Sequence, residues 1–228
     1  MLEIIPLAFS ENAGIASRHA EFGLPAGPAE YRATWQIQRD LHAEVAAGSR
    51  PNTLLLLEHE AVYTAGKRTE DHERPRDGAP VVDVDRGGKI TWHGPGQLVG
   101  YLIARLPEPV DVTGVVRAIE RAIMGVCGEL GLATETVEGR SGVWVPGEAG
   151  GANKVCAIGL RVAKNTTMHG FALNCNNSLA WAANVIPCGI TDAGVTSLTR
   201  SLGREIAPRD VIDPVAASMR DLAAEKFA

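Results

Sequence analysis

Apolar side chains recur every three or four residues in two long stretches, the spacing that places them on one face of a helix. Residues 111–130 show this spacing most clearly and end before Gly131, and residues 28–47 show it again and end before Gly48. A third helix is predicted to begin near Asp213-Pro214, because aspartate caps a helix and proline suits its first turn. The pattern therefore predicts a helix early, in the middle and at the end of the chain.

Shorter apolar runs bounded by glycine, proline or polar residues predict β-strands. They cover residues 54–57, 81–84, 90–92, 98–103, 143–145, 154–162 and 168–174. The last two strands are separated by a short polar turn around Lys164-Asn165, which predicts a β-hairpin. Helices that flank strands without regular alternation predict an α+β fold with a mixed or mostly antiparallel sheet. No shift in composition divides the chain, so we expect residues 1–228 to form a single domain.

Composition narrows the class of protein. The chain has 228 residues, of which 45% are hydrophobic and 21% charged, as is typical of a globular domain. A net charge of −5 argues against nucleic acid as the main partner. No apolar run is long enough to cross a membrane, and the start lacks the basic and apolar regions of a signal peptide. We therefore expect a cytoplasmic protein with reduced cysteines and no membrane partner.

A glycine-rich segment carries the first candidate chemistry. It reads Arg86-Gly-Gly-Lys-Ile-Thr-Trp-His-Gly-Pro-Gly-Gln97, and its glycines would let a ligand lie directly against the main chain. A glycine-rich turn with a surface histidine is the alternative interpretation. The segment lacks the spacing of a nucleotide-phosphate loop.

Cys188 is the best candidate nucleophile among the cysteines. It stands between Pro187 and Gly189, a setting that favours a turn on which a thiol can meet a ligand. Cys127 borders the apolar stripe of the central helix and is expected in the core. Two further cysteines, Cys156 and Cys175, could be nucleophiles or buried fillers, and filler is the more common role. No zinc-ligand spacing occurs among the cysteines and histidines, so we expect no metal site.

Lys154 begins an otherwise apolar strand. Strict alternation would place it on one face with Cys156 and Ile158, and a lysine in that position is usually solvated. Beside a cysteine, however, an ammonium group would stabilise the thiolate, lower the pKa of the thiol and return a proton to a leaving group. His93 or His169 could also serve as the base, so a Cys–His arrangement of the hydrolase type stays open.

Four segments in this order resemble the octanoyltransferase family, also called lipoyl(octanoyl) transferases or lipoate-protein ligase B. They are the glycine-rich segment above, Lys154-Val-Cys-Ala-Ile-Gly159, His169-Gly-Phe-Ala-Leu-Asn174 and Pro187-Cys-Gly-Ile190. Weaker matches surround His59 and Trp35, so the resemblance covers most of the chain. It implies the α+β fold of the biotin and lipoate protein ligases.

The resemblance also implies an activity in lipoate biosynthesis. An octanoyl or lipoyl group would move from acyl carrier protein to a lysine of the lipoyl domains of 2-oxoacid dehydrogenases or of the glycine cleavage H protein. Cys188 would carry the acyl thioester and Lys154 would lower its pKa, with no cofactor or ATP. The residues implied to bind the acyl substrate are Arg86, Gly87, Gly88, Lys89, Ile90, Thr91, Trp92, His93, Ala157, Ile158, Gly159, Gly170, Phe171 and Ala172. Candidate supporting residues are His169 and Asn174.

Two rival functions remain at this point. An ATP-dependent lipoate or biotin ligase would share the fold and the lysine but would have no use for Cys188. A carrier-protein binding module would leave Cys188 inert. For the transferase, an acidic carrier protein could be steered by local cations. The candidate cations are Arg86, Lys89, Lys67 and Arg68.

Overall fold

The fold is that of a computed structural model, in which the described residues are 1–10, 13–75, 78–147, 151–185 and 193–227. Within these ranges the α-helices are α1 (Tyr31–Ala47), α2 (Val112–Glu129), α3 (Leu198–Leu202) and α4 (Pro208–Lys226). The strands are β1 (Leu2–Ala8), β2 (Asn52–Leu57), β3 (Val62–Ala65), β4 (Val81–Asp83), β5 (Thr91–His93), β6 (Gln97–Ile103), β7 (Glu135–Val137), β8 (Arg140–Pro146), β9 (Ala152–Ala163), β10 (Thr166–Asn174) and β11 (Ala193–Val195). Short 3₁₀ turns occupy His19–Phe22, Asp71–Glu73 and Ala180–Ala183.

The two predicted amphipathic helices are confirmed as α1 and α2. The carboxylate of Glu30 caps α1 by accepting hydrogen bonds from the next backbone amides, and Gly48 ends the helix with a φ of 76°. Asp111 caps α2 by accepting a hydrogen bond from the Gly114 amide at 2.8 Å. The helix α1 begins three residues later than predicted because Glu30 provides the cap.

The predicted start of the last helix is wrong. Helix α4 begins at Pro208, and the carboxylate of Asp210 caps it by accepting a hydrogen bond from the Ala207 amide at 2.8 Å. Pro214 lies inside the helix. Pro208 and Asp210 stand earlier in the chain and provide the proline and the acidic residue of the first turn, so the helix begins there.

The strands form two sheets. The larger sheet has the order β1-β2-β6-β10-β9-β8-β7, with β11 also paired to β9, and the smaller one has the order β4-β3-β5. The pairs β1–β2 and β9–β11 are parallel, whereas the remaining neighbours in the large sheet are antiparallel. The predicted α+β class with a mixed sheet is confirmed. Strands β1, β3, β7 and β11 and helix α3 were not predicted.

The predicted hairpin joins β9 to β10. Its two turn residues, Lys164 and Asn165, have φ angles of 50° and 53°. Positive φ at both central residues is the conformation that matches the twist of a two-residue hairpin. The hairpin prediction is confirmed.

Two apolar layers cover the two faces of the large sheet. Helices α2 and α4 pack on one face, and this layer includes Ile119, Val126, Val215 and Met219. Helix α1 packs on the other face through a smaller cluster that includes Leu41. None of the described helices combines the length and apolar character that a membrane span requires.

Candidate active site

A cavity of about 420 Å³ extends from the α1 side of the large sheet around the edge of β9 to the start of α2, where Val112 and Val116 line it. Its wall includes Tyr31 of α1, Tyr101 of β6 and residues of β9, β10 and the loop 86–93. Cavities of this size hold small molecules or their acyl groups. The cavity therefore sets the place where the predicted site residues must meet.

The loop 86–93 is held from inside by Arg86. The guanidinium donates hydrogen bonds to the carbonyl oxygens of Gly87 at 2.9 Å and Lys89 at 2.8 Å. It also donates to both oxygens of Thr64, at 2.8 and 2.9 Å. Arg86 is only 7% exposed. Its charge is thus used to shape the loop, and attraction of a carrier is left to more exposed cations.

Small residues on adjacent strands form the floor under this loop. Gly159 lies opposite Gly170, and Ala157 lies opposite Ala172, in the β9–β10 ladder. A Cβ atom at Gly159 would lie 3.2 Å from the carbonyl oxygen of Gly87. The Gly87 amide donates a hydrogen bond to the Leu160 carbonyl at 3.0 Å. Glycine at position 159 therefore lets the loop lie directly on the strand.

The prediction that Lys154 and Cys156 share a face is wrong. Val143 lies opposite Cys156 and Trp144 lies opposite Lys154, so Val155 is an extra residue in β9. Such a β-bulge breaks the alternation of side chains. Val155 and Cys156 both join the apolar layer under α2 and α4. Lys154 lines the cavity instead.

The cavity wall takes Lys154 together with residues 157–160 of β9, so Ile158 joins Lys154 there as predicted and only Cys156 departs. Lys154 is 9% exposed, and its Nζ lies 4.5 Å from the centroid of the Trp144 ring. A cation over an aromatic face is attracted by the ring. Gly142 has a φ of 130°, and a Cβ atom there would lie 3.3 Å from Lys154 Cε. Lys154 is therefore a packed residue of the cavity rather than a solvated strand end.

A directed chain of hydrogen bonds crosses the cavity wall. The links are Thr64 Oγ1 to His93 Nε2 (3.3 Å), His93 Nδ1 to Gln97 Oε1 (2.8 Å), Gln97 Nε2 to Asn174 Oδ1 (2.9 Å) and Asn174 Nδ2 to the Thr196 carbonyl (2.9 Å). Gln97 Nε2 also donates to the Trp92 carbonyl, so its Oε1 must accept from His93. The Thr196 amide in turn donates to the Lys154 carbonyl at 3.0 Å. These hydrogen bonds connect the glycine-rich loop to the backbone beside Lys154.

Both ring nitrogens of His93 take part in this series of hydrogen bonds. Burial lowers the pKa of the ring well below its usual value, so the imidazole is neutral at physiological pH. Nδ1 then carries the proton that Gln97 accepts, and Nε2 accepts from Thr64. With both ring nitrogens engaged, His93 positions its neighbours and is not a free base.

His169 has a different environment. Its Nε2 donates to Asp85 Oδ1 at 2.9 Å, and Asp85 Oδ2 lies 2.6 Å from Arg161 Nη1. Burial lowers the pKa of His169, while the Asp85 carboxylate opposes that shift. The backbone has a φ of 61°, and its amide donates to Gln38 Oε1 at 3.1 Å. His169 lines the cavity. It pairs with Leu160 of β9, which lies six residues along that strand from Lys154 and nearer to the turn of the hairpin.

A third histidine lies next to Tyr101. His59 Nδ1 lies 2.9 Å from the Ala29 carbonyl and must donate to it, so Nε2 accepts from the Tyr101 hydroxyl at 2.6 Å. Burial lowers the pKa of His59 to about 4. The same burial raises the pKa of Tyr31 to about 12. His59 is therefore neutral at physiological pH and holds the hydroxyl of the cavity-lining Tyr101 in place.

The cysteines divide between described and undescribed parts of the chain. Cys127, Cys156 and Cys175 are fully buried in the apolar layer. Burial raises the pKa of Cys127 to about 12, and it raises the pKa of the other two as well. The core position predicted for Cys127 and the structural role favoured for Cys156 and Cys175 agree with this burial. Cys188, the predicted nucleophile, lies outside the described residues.

Most of the residues predicted to bind the acyl substrate line this one cavity. Trp92 is the exception, since its ring stacks behind the cavity-lining Trp181 with centroids 5.6 Å apart. His169 and Asn174 also line the cavity. The wall includes residues that the sequence analysis did not select: Tyr31, Gln97, Tyr101, Arg140, Ser141, Trp181 and Val195. Gln97 could have been found, because it ends the glycine-rich segment, whereas the tyrosines carry no such signal.

The cations around the cavity differ in their partners and in whether they line the cavity. Lys89 forms an ion pair with the buried carboxylate of Glu73 and lies 3.5 Å from Glu70 Oε1. Lys67 and Arg68 are exposed, and their amides donate to the carbonyls of Arg86 and Gly88, both at 3.1 Å. Arg68 also lines the cavity, whereas Lys67 does not.

Comparison with known proteins gives sequence relatives over most of the chain. The lipoyl protein ligase A/B catalytic domain family matches residues 30–220. An octanoyltransferase from Leifsonia xyli is 59% identical over 199 residues, which are 87% of this chain and 89% of that protein. An octanoyltransferase from Mycobacterium avium is 63% identical over 192 residues, which are 83% of this chain and 82% of that protein.

Solved structures with the same fold are more distant in sequence. A bipartite lipoate protein ligase from Thermoplasma acidophilum matches with a TM-score of 0.64 and 16% identity, over 82% of this chain and 79% of that one. A lipoate-protein ligase A bound with ATP matches with a TM-score of 0.62 and 16% identity, over 98% of this chain and 84% of that one. The predicted lipoate-ligase-like fold is thereby confirmed.

Proposed function

The chain belongs to the lipoyl protein ligase A/B family and, within it, to the octanoyltransferases of lipoate biosynthesis, and we propose that it transfers octanoate through a thioester on Cys188. The observation that carries this mechanism is the position of Lys154. The bulge in β9 turns its ammonium group into the cavity, beside the strand that follows the Cys188 segment.

Both described ends of that segment support the proposal. On the N-terminal side, Trp181 lines the cavity and Val185 packs in the same apolar cluster as Trp181. On the C-terminal side, Val195 pairs with Lys154 and also lines the cavity. Trp181 before the segment and Val195 after it both line the cavity, which supports the approach of Cys188 to an acyl group there.

In the first half of the proposed reaction, the thiolate of Cys188 attacks the carbonyl carbon of an acyl thioester. A new carbon–sulfur bond forms, the carrier sulfur leaves, and the ammonium of Lys154 gives it a proton. The Cys188 thiolate is favoured beforehand because a neighbouring ammonium stabilises its negative charge.

In the second half, the neutral amine of a target lysine attacks the acyl-Cys188 carbonyl. An amide forms, the Cys188 sulfur leaves as thiolate, and the proton lost by the amine returns to Lys154. Both half-reactions balance without ATP or a cofactor, because the incoming thioester is already activated.

The cavity suits an acyl chain at its floor. Ala157, Ala172 and the glycines beside them provide a narrow apolar lane, and each methylene buried there contributes about 0.8 kcal/mol. We propose octanoyl-acyl carrier protein as donor. As acceptors we propose the lipoyl domains of 2-oxoacid dehydrogenases and the glycine cleavage H protein.

Mass spectrometry of the protein after exposure to octanoyl-acyl carrier protein tests the mechanism. We expect one octanoyl adduct, on Cys188, which a lipoyl domain then removes. Cys188→Ala should form no adduct, while the matched variant Cys175→Ala should still form it. An adduct on Cys156 or Cys175 with Cys188 unmodified would refute the assignment.

The ATP-dependent ligase is tested in the same assay. The proposed transferase should not modify a lipoyl domain when it is given free octanoate and ATP. If octanoate and ATP supported modification while octanoyl-acyl carrier protein did not, the ligase would be the correct function.

A further inference from the structure

We propose that Arg68 binds the phosphate of the phosphopantetheine arm that delivers the acyl group. This inference rests on the proposed function, because an acyl carrier protein presents its thioester at the end of such an arm. The arm carries one phosphodiester between the protein and the pantetheine. A thioester that reaches Lys154 must therefore draw that anion toward the outer part of the cavity.

The position of Arg68 is fixed by the loop that covers the cavity. Its backbone amide donates to the Gly88 carbonyl at 3.1 Å, and the next amide, of Thr69, donates to the Gly66 carbonyl at 2.9 Å. A Cβ atom at Gly66 would lie 2.5 Å from the Gly88 carbonyl oxygen, so this turn lies tightly on the loop. Arg68 is exposed and belongs to the cavity wall.

The charge of Arg68 is available to a ligand. Within the described ranges no carboxylate forms an ion pair with it. The nearest acidic side chains in sequence are committed elsewhere, since Glu70 and Glu73 pair with Lys89 and Glu70 lies 3.5 Å from His72. Arg86 and Lys154, the buried cations of the same wall, have partners inside the protein.

The chemistry of the side chain favours phosphate. A guanidinium presents parallel N–H donors that match two oxygens of a phosphate group, and it stays charged at every physiological pH. An acceptor lysine on a lipoyl domain carries no phosphate. The proposed site therefore serves the first half-reaction and not the second.

Three donors separate this site from other roles of Arg68: S-octanoyl-pantetheine, S-octanoyl-4′-phosphopantetheine and octanoyl-acyl carrier protein. Acyl-enzyme formation is measured for each. We expect Arg68→Ala to raise KM roughly tenfold for both phosphorylated donors and to leave KM for the pantetheine donor unchanged. Arg68→Lys should give an intermediate rise, because it keeps the charge and loses the paired donors.

Lys67→Ala provides the matched control, since Lys67 is the adjacent exposed cation that does not line the cavity. It should leave KM for both small donors unchanged. Transfer from preformed acyl-enzyme to a lipoyl domain should proceed at the wild-type rate in Arg68→Ala.

Each other pattern overturns the site. An equal rise in KM for the pantetheine donor would mean that Arg68 shapes the cavity instead. A rise for the carrier protein alone would mean that Arg68 contacts the surface of that protein, and no rise for any donor would mean that it contacts neither. Failure of the wild-type protein to form an acyl-enzyme with any donor would instead remove the proposed function, and this site with it.

Discussion

The two sides of the large sheet differ in the reactive side chains that they bury. The layer under α2 and α4 buries Cys127, Cys156 and Cys175 among apolar residues and raises their pKa values. The cavity side buries ionisable groups too, but gives them partners, such as the Trp144 ring for Lys154. Glu120 of α2 is buried as well, and it accepts hydrogen bonds from Arg117 and the Gly142 amide. A buried ionisable group is therefore accommodated where the fold provides partners for it, on either side of the sheet.

Removing the ammonium group from the cavity side should have the largest effect. Lys154→Met keeps most of the buried stem and removes the charge, so we expect transfer to slow by about 10²- to 10⁴-fold. The rate of Cys188 alkylation should also require a higher pH. Lys226→Met, at the end of α4, is the control and should retain wild-type kinetics. Wild-type transfer by Lys154→Met would contradict the proposed proton carrier.

The bulge that separates the two layers is tested at Gly142. A Cβ atom there would lie 2.5 Å from the Cys156 carbonyl oxygen, and the φ of 130° suits only glycine. We expect Gly142→Ala to lower the free energy of unfolding by about 1–3 kcal/mol and to reduce transfer. Denaturation with urea measures the first effect.

Gly125→Ala is the matched control. Gly125 lies in the exposed part of α2 with nothing within 4 Å of an added Cβ atom, so alanine there should stabilise the protein by up to about 1 kcal/mol. Equal destabilisation by both substitutions would contradict the role of Gly142 in the bulge.

The cavity side should also lose stability in acid. The pKa of His59 is about 4 in the folded protein and 6.5 in the reference state, so the unfolded chain binds more protons between those values. The free energy of unfolding should therefore fall as the pH drops through this window, by about 2 kcal/mol at pH 5 from His59 alone. In His59→Gln the loss between pH 7 and pH 5 should be smaller by that amount. The same loss in both proteins would contradict the buried neutral ring.

The thiols under α2 and α4 should show almost no reaction. Burial removes both access and thiolate character, so an alkylating reagent at neutral pH should modify Cys188 and spare the three others until the protein unfolds. Peptide mapping after brief alkylation measures this. Rapid modification of Cys156 in the folded protein would mean that the two layers are not separated as the bulge requires.

The sequence predicted the regular parts of the fold well. The stripe in α2, the stop at Gly48 and the hairpin at Lys164-Asn165 each follow from local spacing or turn chemistry, and each is confirmed. The order of motifs along the chain also predicted the family.

The sequence could not predict features that depend on distant partners. The extra residue of the bulge, Val155, is apolar like its neighbours and becomes visible only in the register with β8. Asp85 and His169 are 84 positions apart and meet because Gly87 lies on β9 at Leu160, the residue opposite His169. The roles of Cys188 and Lys154 stay predictions until the adduct experiment is done.

The contact between Gly87 and Leu160 has a consequence for behaviour in solution. Strand β8 pairs with β9 only as far as Cys156, and no described strand follows it along residues 157–163. An uncovered strand edge is a template for pairing between molecules and for aggregation. The loop 86–93 covers part of this edge and also lines the cavity, so a change in the loop should affect both aggregation and the substrate cavity. Variants that loosen the loop to admit bulkier acyl chains should lose solubility along with selectivity.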